Sequence, residues 1–213
     1  MTTVGQFITV EGGEGAGKST QVRRLRDWLA DRRGIGALAT REPGGSPGAE
    51  AIRGLLVTGT GDRWDPMTEA LLHFAARRDH LRSVIWPALE AGTWVVCDRY
   101  VDSTRAYQGV ALGLGIETVD ALFSMIIDSF TPVLTIILDI PVELGLARAD
   151  ARGGGDRYER MGPVFHQRLR EAFLAIAAAE PERCVVIDAS ADVETVHAAI
   201  VDAVTRRLHP GDD

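Results

Sequence analysis

An apolar, β-branched run at residues 7–10 passes directly into Glu11-Gly12-Gly13-Glu14-Gly15-Ala16-Gly17-Lys18-Ser19-Thr20. Gly12 to Ser19 matches G-x-x-x-x-G-K-[ST] at every fixed position, and a helical pattern follows at once, which is the setting the motif requires. By average composition a chance match in a chain of this length is on the order of 1%. Strand, glycine-rich turn and helix, in that order, commit the chain to an α/β fold built around a phosphate site. The glycines let backbone N–H groups turn inward around a β-phosphate. The helix N-terminus adds a favourable dipole. Lys18 places a point charge near the β- and γ-phosphates, and Ser19 offers a hydroxyl to Mg2+. A dinucleotide fold would need G-x-G-x-x-G, a register this segment does not supply.

Composition sharpens the reading of Lys18. Of the 23 basic residues all but Lys18 are arginine. The two cations interchange on a solvated surface but not where a compact ammonium must fit among phosphates. The net charge of −7, without a long basic run, argues against a nucleic-acid partner. An anionic substrate must then be held by a local cationic pocket against the global charge. The first six residues have neither a charged segment nor a long apolar core, so no signal peptide is expected. The most apolar stretch, 132–142, is interrupted by Asp139 and too short to span a bilayer. A cytoplasmic protein without a membrane partner is expected. Cys97 and Cys184 lie in apolar runs and read as buried, reduced thiols. The five histidines show no ligand spacing with each other or with the cysteines, so no zinc site is expected.

Further apolar runs at 37–40, 94–97, 133–138 and 185–187 read as strands. Helical patterns occupy 18–32, 47–56, 66–90, 117–129, 141–151, 163–179 and 193–208. Alternating strands and helices predict right-handed crossovers and a five-stranded parallel sheet covered on both faces. No linker or repeat divides the chain, so residues 1–213 read as one domain. The run at 94–97 ends in Asp98-Arg99, at the carboxyl edge where ligands bind. Asp98 can hold Mg2+ directly or through water, and Arg99 can reach a second phosphate group. A structural Asp–Arg salt bridge is the alternative. The P-loop alone leaves kinase, GTPase switch and ATPase motor open.

The segment Val96-Cys97-Asp98-Arg99-Tyr100-Val101-Asp102-Ser103-Thr104-Arg105-Ala106-Tyr107-Gln108 resembles the signature of thymidylate kinases. So do the P-loop, Thr40-Arg-Glu-Pro-Gly-Gly45, Ala75-Ala-Arg77 and the lid-like 148–160, so the resemblance spans nearly the whole chain. It implies the three-layer P-loop nucleoside monophosphate kinase fold and ATP and dTMP as substrates. Residue by residue it implies that Arg99, with Arg53, grips the dTMP phosphate, and that Arg77 hydrogen-bonds thymine. Thr104 and Gln108, with Ser103, resemble base-contacting residues. Tyr107 resembles the tyrosine that crowds the sugar 2′ position. Glu14 matches the acid near the sugar 3′-hydroxyl and the metal. Members of the family often place phenylalanine, stacked on thymine, four residues before the base-reading arginine. Here His73 holds that position and Phe74 the next, and either ring can present a face to the pyrimidine. Family members are homodimers, and the long apolar helix expected at 66–90 can contribute to one.

Arg148, Arg152, Arg157 and Arg160 surround Gly153-Gly154-Gly155. Such a cluster is commonly a solvated loop. In phosphoryl transfer a closing segment that brings an arginine to the γ-phosphoryl oxygens stabilises the transition state. Some thymidylate kinases carry that arginine in the P-loop, at the position of Gly15. This chain resembles the bacterial type, in which the lid supplies it, with Arg152 first in line. Arg148 is expected against adenine, and Arg157 near phosphate. No general base stands out, and an anionic phosphate acceptor needs none. Two other readings are a different P-loop nucleotide or nucleoside kinase, which in the nucleoside case needs a base for a neutral hydroxyl, and a non-enzymatic nucleotide-binding regulator.

Overall fold

A computed structural model describes residues 4–59, 63–153 and 157–209. Among these residues the five expected strands form one parallel sheet: β1 (Phe7–Gly12), β2 (Ala37–Arg41), β3 (Trp94–Asp98), β4 (Leu134–Asp139) and β5 (Cys184–Asp188), in the spatial order β2-β3-β1-β4-β5. Each boundary lies within two residues of the sequence reading. The P-loop strand is central, and its register pairs Val10 with Asp98 of β3 and Gly12 with Leu138 of β4. Asp98 is thus delivered to the mouth of the P-loop by strand pairing alone.

Alternation along β1 sends Ile8 and Val10 to one face and Phe7, Thr9 and Glu11 to the other. On the first face they pack with Leu25 and Leu29 of α1 (Lys18–Arg33) and with Ile200 and Val204 of α9 (Val193–Leu208). On the second, Phe7 meets Val95, Tyr100, Phe74 of α3 (Pro66–His80) and Phe123 of α6 (Ile116–Ile127). A third cluster joins Ile137 and Tyr107 to Leu169 and Phe173 of α8 (Pro163–Ala179). Both sheet faces are covered, which is why the strands read as continuous apolar runs. Shorter helices α2 (Pro47–Val57), α4 (Trp86–Glu90) and α7 (Val142–Arg152) complete the layers.

Two segments depart from the sequence reading. The helix expected over 66–90 is interrupted by a π-helical turn, Leu81–Ile85, between α3 and α4. There the Trp86 N–H reaches Leu81 O, five residues back. Pro87 follows, and its missing N–H and its ring disfavour a regular α-helical turn, so the wider turn accommodates it. The signature segment, given no helix from its pattern, is helical as α5 (Val101–Thr104) followed by a π-helical stretch, Arg105–Ala111. Gly154 and Gly155 of the expected lid lie outside the described residues.

Candidate active site

The P-loop turn is possible only with glycine at 15. Its φ is +69°, and a Cβ there would lie 1.9 Å from the carbonyl oxygen of Gly145 in α7. An arginine at this position is excluded by backbone. Helix α1 starts after Gly17, whose lack of a side chain leaves the first-turn N–H groups for an anion. Lys18 is 8% exposed, with Nζ donating to the carbonyls of Gly13 (2.6 Å) and Gly12 (3.1 Å). Burial lowers its pKa, then Arg99 lowers it further, against the opposing pull of Glu14 and Asp98. Ser19 Oγ donates to Asp98 Oδ2 at 2.5 Å, while the buried Asp98 Oδ1 has no partner among the described residues. An orphaned carboxylate oxygen beside a hydroxyl is the hard-oxygen donor set that Mg2+ takes, so the residues fit the ion.

These residues open on a cavity of about 620 Å³. Its described lining carries seven lysine or arginine side chains (Lys18, Arg41, Arg53, Arg77, Arg99, Arg148, Arg152) against five acids (Glu14, Glu42, Asp98, Glu159, Asp192). The site is locally cationic in a chain of net charge −7, as anion binding requires. Gly15, Gly17, Thr20, His73, Ser103, Tyr107 and Gln108 also line it. Gly12, Gly13, Ala16, Phe74 and Thr104 stand outside that lining.

Arg99 adopts φ +71°, a left-handed conformation for a side chain that rarely takes it. The turn aims its guanidinium back across the P-loop, to Gly12 O (3.1 Å), Ser103 Oγ (3.1 Å) and Glu14 Oε1 (2.8 Å), over the Tyr107 ring. Tyr107 Oη donates to the same Glu14 oxygen at 2.5 Å. Burial raises the Glu14 pKa, but Arg99, Lys18 and the Tyr107 bond outweigh it and leave the group lowered to about 2. Arg53 donates to Pro43 O at 2.9 Å, on the opposite wall. Behind Arg99, Glu11 accepts from the Tyr100 N–H and from Ser103 Oγ, both at 2.6 Å. Burial, then the Asp102 carboxylate, push Glu11 up to about 8.

Arg77 is 2% exposed and clamped. Nε meets Glu42 Oε2 at 2.7 Å, Nη2 donates to Thr104 Oγ1 at 3.1 Å, and the rings of Phe74 and Tyr100 lie about 5 Å from the guanidinium carbon. Thr104 therefore holds Arg77 from behind, where a base contact was expected. Phe74 is fully buried in the second core cluster, which removes it as the stacking ring; His73 is the one that lines the cavity. Burial, then Arg77, Arg157, Arg99 and Arg53, lower the His73 pKa to about 3, so its ring is neutral at neutral pH. Two buried polar atoms here lack partners among the described residues: Arg77 Nη1 and Gln108 Oε1.

On the far side, Arg148 donates to the carbonyls of Ala189 (2.7 Å) and Ser190 (2.8 Å), beside the start of α9. Arg152 is exposed and 3.3 Å from Glu159 Oε1. Arg157 corrects an expectation. It is buried 2.6 Å from Glu69 Oε1, over the Tyr158 ring, and ties this segment to α3 instead of lining the cavity. Glu69, Tyr158 and Glu42 were missed as site residues. Glu42 lies in a motif that was legible, but its partners are 35 or more residues away. The fold also brings Glu42, His80 and Cys97 together, with one potential ligand atom each within 4.8 Å, a grouping that spacing along the chain does not show. Both Glu42 oxygens are already engaged, by Arg77 and His80.

The thymidylate kinase family profile matches residues 10–200. The thymidylate kinase of Caulobacter vibrioides is 57% identical over 206 residues, covering 97% of this chain and 99% of its own. That of Rhodopseudomonas palustris is 55% identical over 208 residues, covering 96% and 90%. The crystal structure of thymidylate kinase from Ehrlichia chaffeensis superposes with a TM-score of 0.75 at 33% identity, covering 94% of this chain and 99% of that one.

Proposed function

This chain belongs to the thymidylate kinase family, and from that premise we propose how its residues divide the transfer of the γ-phosphoryl group of ATP to dTMP. The chain is an ATP-dependent dTMP kinase that yields dTDP and ADP and serves dTTP biosynthesis. The observation that carries the residue assignments is the pair of orphaned atoms, Arg77 Nη1 and Gln108 Oε1, in one cavity with Lys18. Thymine places a carbonyl acceptor (O4) next to an N–H donor (N3), which one free donor and one free acceptor can satisfy. His73 is the ring that stacks. Arg99 and Arg53 hold the dTMP phosphate, and Ser103 steadies Arg99. Tyr107, fixed by Glu14, crowds the sugar 2′ position.

On the donor side, the P-loop N–H groups and Lys18 hold the β- and γ-phosphates, and Arg148 lies against adenine. Arg152 reaches the γ-phosphoryl group when the lid at about 148–160 closes. The acceptor oxygen is anionic already, so positioning and charge neutralisation suffice. The reaction uses ATP with a divalent metal. Ser19 and Asp98 would hold Mg2+, which when bound supplies charge neutralisation at the phosphate oxygens. No described helix is long and apolar enough to cross a membrane. The reading includes a cytoplasmic location and a homodimer. Met67 and Leu71 on α3, 38% and 46% exposed, and Met125 on α6, 81% exposed, support the dimer as apolar side chains left at the surface.

A coupled ADP-release assay over a panel of nucleoside monophosphates tests the substrate reading. ADP should form fastest with dTMP, and equal release with ATP alone would reject the kinase. Arg77→Ala should raise the KM for dTMP roughly ten- to a hundredfold and the KM for ATP less than about threefold. It should also lower the melting temperature, because Glu42 stays buried without its cation. Equal rises in both constants would make Arg77 purely structural.

A further inference from the structure

His80 takes no part in the division of labour above, yet it is fully buried and bonded at both ring nitrogens. Nε2 lies 2.7 Å from Thr40 Oγ1 and Nδ1 lies 3.2 Å from Glu42 Oε1. A carboxylate only accepts, so Nδ1 carries the hydrogen and donates to Glu42, and Nε2 accepts from the Thr40 hydroxyl. The chain of bonds then continues. The other Glu42 oxygen takes the Nε–H of Arg77, Thr104 takes an N–H of Nη2, and Nη1 alone is left without a partner among the described residues. A buried network whose final donor opens on a cavity directs that donor. Without the His80 bond, Glu42 Oε1 loses its donor and the carboxylate is free to turn, carrying the guanidinium plane with it.

A second contact ties His80 to the same wall. A Cβ at Gly45 would lie 2.3 Å from His80 Nε2 and 2.6 Å from Thr40 Oγ1, so the Gly44-Gly45 turn closes directly onto the ring. The loop that carries Glu42 and Pro43 is seated on His80 from below. Cys97, buried beside the pair, gives its thiol hydrogen to Arg99 O at 3.1 Å and leaves the His80–Glu42 bond undisturbed.

We propose that His80 is a positioning residue for base recognition: acting through Glu42, it fixes the orientation in which Arg77 presents Nη1 to the thymine. This rests on the assignment of Arg77 to the base. The test compares His80→Phe, which keeps an aromatic ring and removes both bonds, with His80→Asn, whose amide N–H reaches the place of Nδ1–H. Steady-state constants for dTMP and ATP and thermal unfolding are measured for both, with Arg77→Ala in parallel. His80→Phe should raise the KM for dTMP about tenfold, with kcat and the KM for ATP within about twofold, as expected for loss of one bond to a charged group. His80→Asn should return the KM for dTMP to within about threefold of the unaltered enzyme. Unchanged dTMP binding in His80→Phe, equal rises for dTMP and ATP, or two folded variants with the same defect would overturn the proposal. If His80→Phe does not fold, His80→Gln replaces it, since its amide reaches the Nε2 side. Asn must then bind dTMP more tightly than Gln, and equality overturns the proposal. Unchanged dTMP binding in Arg77→Ala would instead bring down the assignment of Arg77 itself.

Discussion

Lys18→Ala should lower turnover at saturating ATP at least about a hundredfold while the protein remains folded. The rate loss is that of removing a fixed charge from the transferring phosphoryl group in a water-poor site. The fold should survive because Lys18 sits at the first turn of α1 with its ammonium on the loop carbonyls of Gly12 and Gly13, outside the apolar clusters. Its burial works against its charge, so the neutral side chain relieves a desolvation cost. Lys18→Arg should not rescue: a planar fork is too broad for a loop that holds a point charge. Turnover and thermal unfolding on the same preparations decide the matter, and near-normal turnover in the alanine variant would remove Lys18 from the mechanism.

Arg152→Ala should lower turnover roughly a hundred- to a thousandfold with little change in calorimetric dTMP binding. The backbone contact between Gly15 and Gly145 forbids a P-loop arginine, and Arg152, across the cavity, is the residue assigned that charge. Arg152 lines that cavity at the end of α7, and its one ion pair among the described residues, with Glu159, leaves the side chain 60% exposed. Such a pair contributes at most about 1 kcal/mol and is readily exchanged for a phosphate. Arg157 is committed to Glu69, and Arg148 to the carbonyls beside α9, so neither can substitute without breaking those bonds. A lysine at 152 should restore activity only in part, because it cannot bridge two oxygens. A loss below about fivefold in the alanine variant would exclude Arg152.

What could be read from the chain follows from how little freedom each piece has. The P-loop was legible to the residue because its turn admits few side chains, and Asp98 because a strand that pairs with β1 must end there. The strand order β2-β3-β1-β4-β5 was not, since five β-branched runs of similar length carry no label for their neighbours. The π-helical turns at Leu81–Ile85 and Arg105–Ala111 were hidden because apolar spacing of three and four does not distinguish an α-turn from a wider one. At His73 and Phe74 the family resemblance offered two rings, and packing separates them: Phe74 fills the core against Tyr100 and Arg77, while His73 lines the cavity. Glu69 gave no signal at all. A lone acid on a helix looks solvated until the fold buries it against Arg157 and Tyr158.

The seating of Lys18 has a consequence for probing the molecule. Lys18–Ser19 is the one peptide bond in the sequence that a protease specific for lysine can cut. It lies in the first turn of α1, with the lysine side chain folded onto the loop and only 8% exposed. Cleavage therefore needs a molecule in which the P-loop and that turn have come apart, and it yields two fragments of unequal size. Acylation of the Lys18 side chain meets the same gate. Digestion rate thus counts the openings of a single loop, and the chain carries its own reporter of phosphate-site integrity without a label being attached.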